Sequence, residues 1–152
     1  MLYKKLFFIF LFLVFFTNAQ TTNPNYDATL AEKLKADEYG MKSYVFVVLK
    51  TGSNTTTDKD FIASCFKSHM DNIRQMVKDK KLIVAGPMNK NEASIRGIFI
   101  LDVATFDEAN TLLQNDKAIK EQLFTVELYN WYGSAALSEY IEISDKIWKI
   151  KP

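Results

Sequence analysis

Tyr44-Val-Phe-Val-Val-Leu49 is a nearly continuous apolar and β-branched run. A strand with one wet face alternates apolar and polar residues. This run does not, so it reads as a central strand buried on both faces. Downstream, Thr51 to Thr57 carries Gly52, Ser53 and Asn54 and reads as a loop. Asp58 and Asp60 then open a helix with Phe61, Ile62, Cys65, Phe66, His69, Ile73, Met76 and Val77 at 3–4 residue spacing. It ends in the basic cluster Lys78, Lys80 and Lys81, which suits the carbonyl end of a helix.

A short strand is expected over Leu82 to Ala85, stopped by Gly86-Pro87. After the loop Met88 to Ala93, alternation over Ile95 to Val103 places Gly97, Phe99, Leu101 and Val103 on one face. Ile98 and Ile100 make the reverse face apolar too. Thr105 and Glu108 have the spacing of a capping box ahead of Phe106, Ala109, Leu112 and Leu113. That second helix ends near Asn115-Asp116, a helical turn follows through Ile119, and a strong strand is expected over Phe124 to Tyr132.

The order is strand–helix–strand–strand–helix–strand. Its compact solution is an α+β fold: a four-stranded antiparallel sheet with two principal helices on one face. The other face is too apolar for water. Pairing with a second copy would bury it, and so would the tail Gly133 to Pro152, which carries Tyr140, Ile141, Ile143, Ile147, Trp148 and Ile150. The homodimer is the preferred expectation.

Upstream, Ala28 to Tyr39 has a short helical pattern with Leu30, Leu34 and Tyr39 on one side, ended by Gly40. The amino terminus has the order of a secretory signal. Lys4 and Lys5 precede eleven apolar residues, Leu6 to Phe16, and Thr17-Asn18-Ala19 precedes Gln20. Eleven residues are too few to cross a hydrocarbon core of about 30 Å as a helix. The expected organisation is a cleaved signal at 1–19, an extension with a short helix at 20–42, the sheet domain at 43–132 and a carboxy-terminal extension at 133–152. Localisation is expected to be exported, periplasmic or extracellular, with no stable membrane span after cleavage.

The whole chain carries a net charge of +1, and losing Lys4 and Lys5 with the leader makes it −1. Such a balance excludes the basic footprint of a nucleic-acid binder. Cys65 is the sole cysteine, so an internal disulfide is impossible, and its helix position reads as a small buried apolar residue.

His69 is the sole histidine and shares the inward side of its helix with Cys65 and Ile73. It reads either as a core-edge histidine bonded to a carbonyl or as a general acid or base. A working imidazole needs a carboxylate to hold one tautomer. Asp79, Asp102, Asp107, Asp116 and Glu127 are candidates; Asp71, two residues away, lies on a different side of the helix. No zinc-like spacing is present, and neither a metal nor a cofactor is called for.

Ser68-His69-Met70, followed by Lys81-Leu-Ile-Val-Ala-Gly-Pro-Met88, resembles the YCII-related family. Gly97-Ile-Phe-Ile-Leu101 and Phe106-Asp-Glu-Ala109 extend the resemblance, which runs from Tyr44 to roughly Trp131. It implies a ferredoxin-like βαββαβ fold assembled as a dimeric α/β barrel, related in architecture to muconolactone isomerase. It also implies a His-Asp active pair, carried here by His69 and Asp116; some relatives are similar to dehydrochlorinases. Lys117 and Ala118 stand where the family has a proline and an aromatic residue. Two function classes follow. One is a small-molecule lyase or isomerase that moves a proton through His69 and Asp116. The other is a non-catalytic small-molecule-binding or structural protein.

Overall fold

The run Tyr44–Leu49 forms the middle of β1 (Met41–Thr51), which pairs with β3 (Ile95–Leu101) on one side and β4 (Phe124–Ser134) on the other. In the computed structural model, which describes residues 23–150, β2 (Leu82–Pro87) completes the sheet against β3. The order is β2-β3-β1-β4, antiparallel at every pairing. Val45, Val47 and Leu49 point to the side that packs with Cys65 and Met76 of α2 (Lys59–Lys78) and Ala109 and Leu113 of α3 (Phe106–Leu113). The period of two along β1 therefore meets the 3.6 period of two helices, and the core forms between them. Asn72 fastens the helices to each other, donating from Nδ2 to the Leu112 carbonyl at 3.2 Å.

The sheet is not closed into a barrel. The expected dimeric α/β barrel is corrected on that finding: β2 and β4 form the two ends of an open four-stranded order. Within one chain, four twisted strands do not bring their edges together, since small barrels close with about eight. The outer edge of β2 is also unsuited to pairing. Pro87 ends it without an N–H to donate, and α5 (Tyr140–Ser144) lies against the strand.

Several element ends differ from expectation for local reasons. β2 runs through Gly86-Pro87 instead of stopping there, because proline is tolerated on an edge strand. The amino-terminal helix, α1 (Ala28–Leu34), ends at Lys35, which takes the left-handed conformation (φ 57) and returns its N–H to the last turn. Gly40, expected to end that helix, has positive φ in the turn before β1. Leu34 is the only buried residue of α1, and Leu30 and Tyr39 are exposed.

The described part of the tail splits its work. A 3₁₀ turn, Ala135–Glu139, packs at one end of β1, where Lys42 Nζ donates to Asp102 at 2.8 Å and to Ser138 at 3.0 Å. That site is on the sheet face opposite α2, beside buried Tyr44. The rest of that face, with Phe46, Ile98, Ile100, Tyr129 and Trp131, is only partly covered. No helix among the described residues is long and apolar enough to cross a membrane. The expected leader at 1–19, and the export it would direct, lie outside the described residues and gain no support from them.

Candidate functional site

Asp58 caps α2, its carboxylate accepting from the N–H groups of Asp60 and Phe61. From that start, the helical period brings His69 to the inward face in the third turn. Asp116 comes from a different part of the chain. It is the N-cap of the one-turn helix α4 (Lys117–Lys120), and its Oδ1 accepts from Ala118 N at 2.9 Å. The same carboxylate turns Oδ2 to His69 Nδ1 at 2.5 Å. Asp116 is fully buried and His69 nearly so. The pair brings together residues 47 positions apart in the chain.

The position of Asp116 is held from both sides. Lys117 donates its backbone N–H to Ser68 Oγ at 3.4 Å, and its Nζ donates to Ser64 Oγ at 2.9 Å. Both contacts tie α4 to α2, and a proline at 117 could not make the first. Ala118 is fully buried. The aromatic walls come from elsewhere: His69 stacks on Phe99 at 5.9 Å and meets Phe124 edge-on at 5.3 Å.

Beside this pair, between α2 and the sheet, is a cavity of about 1060 Å³. His69, Phe99, Phe124 and Leu49 line its inner part, and Ile73, Val77 and Ile83 continue the apolar wall. With Nδ1 donated to a carboxylate, the neutral imidazole keeps its lone pair on Nε2. Nε2 has no hydrogen-bond partner among the described residues, and no buried polar side-chain atom there is left unsatisfied. The free nitrogen is therefore on the open side of the ring, where the cavity lies. The arrangement can accept a proton from a bound molecule and hold the resulting imidazolium against Asp116.

The other carboxylates are engaged elsewhere. Asp71 pairs with Lys67 and Arg74 on the outer face of α2. Asp79 accepts from Gln75, Asp102 holds Lys42, and Asp107 lies in the exposed first turn of α3. Glu127 pairs with Lys50 at 2.7 Å on the opposite sheet face. Lys50 holds the Glu127 carboxyl below its usual range, with help from the Tyr129 hydroxyl. Cys65 is buried one turn before His69, and burial pushes its thiol up. It is a core residue. No group of three or more His, Cys, Asp or Glu side chains that could hold a metal occurs among the described residues.

No family model matches the chain, and no curated protein matches it. The expected membership of the YCII-related family is corrected. What the comparisons give is a distant structural match. The chain is similar to 5-chloro-2-hydroxyhydroquinone dehydrochlorinase from Burkholderia phenoliruptrix AC1100, solved in complex with 2,5-dihydroxybenzoquinone, at 17% identity and a TM-score of 0.39. The match covers 57% of this chain and 92% of that one. A likeness that distant to a small-molecule-converting enzyme carries no argument about activity here, and the site stands on its own geometry.

The helix stripe singled out His69 and the family resemblance singled out Asp116, which the structure brings together, but much of the cavity was not foreseen. Phe99 and Phe124 read as strand core, and Ile73 and Val77 as a helix stripe. The tail was expected at most as an alternative cover for the sheet face, yet Tyr140, Ile141, Asp145 and Trp148 form one wall of the cavity. The one available signal was their apolar content without a strand or helix long enough to explain it.

Proposed function

We propose that the protein is a small-molecule lyase or isomerase in which His69 and Asp116 move a proton. The observation that carries this reading is the buried His69–Asp116 contact at 2.5 Å on the wall of a cavity large enough for an organic molecule. His69 Nε2 takes a proton from a C–H or O–H group of the bound molecule. In an elimination, the electron pair released expels a leaving group on the adjacent carbon. In an isomerisation, it shifts a double bond and the imidazolium returns the proton at another carbon. Asp116 orients the ring and balances the imidazolium charge.

A substrate-independent test follows from the proton step. Wild type and His69→Ala are incubated in D₂O with a pool of unsaturated, halogenated and β-hydroxy organic acids and of quinols. Mass spectrometry then reads deuterium gain and loss of leaving groups. The proposal expects at least one compound changed by wild type and unchanged by His69→Ala. A pool left equally untouched by both proteins, although members bind, supports the alternative of a binding protein without turnover.

The partly covered sheet face favours a homodimer as the working assembly. Phe46, Ile98, Ile100, Tyr129 and Trp131 make a contiguous apolar surface on it, rimmed by the Lys50–Glu127 pair. Two such faces stacked across a two-fold axis would cover each other while each sheet stays open. Sedimentation equilibrium should give twice the chain mass, and Phe46→Glu should give the chain mass. A wild-type monomer at micromolar concentration contradicts the assembly.

A further inference from the structure

The cavity has a chemical polarity that the proton-transfer reading does not use. Its inner wall is apolar: Leu49, Ile83, Phe99 and Phe124 are all buried. Its rim on the side of α2 and β3 is cationic. Arg74 and Lys78 stand one turn apart on α2, and Arg96 projects from β3, all three lining the cavity and exposed to solvent. Arg74 shares its charge with Asp71 at 3.0 Å. The Lys78 and Arg96 side chains make no hydrogen bond or ion pair with any described residue, while the Arg96 carbonyl accepts from the Met88 N–H. The carboxylates that line the cavity, Glu142 and Asp145, come from the tail and not from α2 or the sheet.

We propose that the cavity binds an amphipathic organic anion. Its apolar body lies against Phe99 and Phe124 beside His69, and its carboxylate, sulfonate or phosphate head is held at the rim by Lys78 and Arg96, with Arg74 in support. The assignment deepens the proton-transfer reading by naming its substrate class, and it rests on that reading only for what happens after binding. It also explains the separation of labour in the site. A single imidazole cannot both anchor an anion and act as a neutral base, because an anion on Nε2 would hold the ring protonated. Cations set apart on the rim leave Nε2 free for the reacting carbon.

The test uses two fluorescent probes of matched body: 1-anilinonaphthalene-8-sulfonate, which is anionic, and N-phenyl-1-naphthylamine, which is not. Lys78→Met with Arg96→Met should weaken the sulfonate by about tenfold or more, the size expected for losing charge-assisted contacts. The same pair of changes should leave the neutral probe within about threefold, a difference under the tenfold step of one lost contact. Both residues are on the surface, so the fold should tolerate the changes. Ile73→Trp, which narrows the cavity next to His69, should weaken both signals. Competition by naphthoate or by dodecanoate then tells a flat body from an extended one, and displacement by either supports the class. Sulfonate binding that is unaffected by Ile73→Trp, that is indifferent to the rim substitutions, or that neither acid displaces, overturns the proposal. The dyad is read separately, from the tautomer of His69, so either idea can fail alone.

Discussion

Asp116 binds two partners with one carboxylate: Oδ2 meets His69 Nδ1 at 2.5 Å while Oδ1 caps α4 through the Ala118 N–H at 2.9 Å. A residue that begins a helix is thereby fixed in place before it orients the imidazole. The cap accounts for its complete burial without an unpaired oxygen. The two roles separate under substitution. Asp116→Asn keeps an oxygen for the cap and loses the charge, so activity should fall about 100-fold or more with a small change in stability. Asp116→Ala loses both, and urea unfolding should show a cost of about 2–4 kcal/mol from the missing cap and the stranded imidazole.

Gly52 is the most crowded glycine among the described residues. A Cβ there would lie 2.0 Å from the Gln122 carbonyl oxygen, and its own N–H donates to Leu123 O at 2.9 Å. Neither neighbour is a side chain that can rotate away. Gly52→Ala should therefore cost about 2–3 kcal/mol or more, as an overpacked position does. The α4–β4 junction should loosen with it. Chemical unfolding and the His69 NMR signal together check both effects.

Tyr132 donates its hydroxyl to the Asp37 carboxylate, which pushes its phenol up to about 12 and holds the Asp37 carboxyl below its usual range. The signs follow from linkage. A raised phenol contributes stability that is full below about pH 10, the unfolded value, and is lost as pH rises through the folded value. A lowered carboxyl contributes above its unfolded value and loses it as pH falls. Absorbance titration at alkaline pH should show a late-ionising tyrosine that Tyr132→Phe removes. Asp37→Asn should shift that ionisation earlier.

Cys65 is buried and burial raises its thiol, so a thiol reagent at pH 8 should react only as fast as the native protein opens. Mild denaturant should release one thiol per chain. Rapid labelling of the native protein would contradict the packing described for α2.

The sheet and its two helices were legible because their signals are local. Tyr44–Leu49 has no polar alternation, the stripe from Phe61 to Val77 has helical spacing, and Thr105 with Glu108 forms the capping box its spacing implies. His69 was legible from its place on that stripe. The choice of Asp116 was not, because its partner lies 47 residues away and several carboxylates fitted equally well. A resemblance made the choice. The same resemblance implied a closed dimeric barrel, which the open strand order does not show. The cavity was hidden for a related reason: Phe99 and Phe124 pack the core with one side of their rings and line the cavity with the other. The tail was hidden because two short helical pieces carry no periodicity long enough to read.

The direct measurement of the central claim is the tautomer of His69, read from ¹⁵N NMR of the imidazole above its titration, in wild type and in Asp116→Asn. In the wild type the proton should be on Nδ1 and Nε2 should be bare. In Asp116→Asn the amide can donate to Nδ1, so the proton should move toward Nε2. A wild-type ring protonated on Nε2, or a tautomer unchanged by Asp116→Asn, would contradict the claim that Asp116 sets His69 as a base facing the cavity.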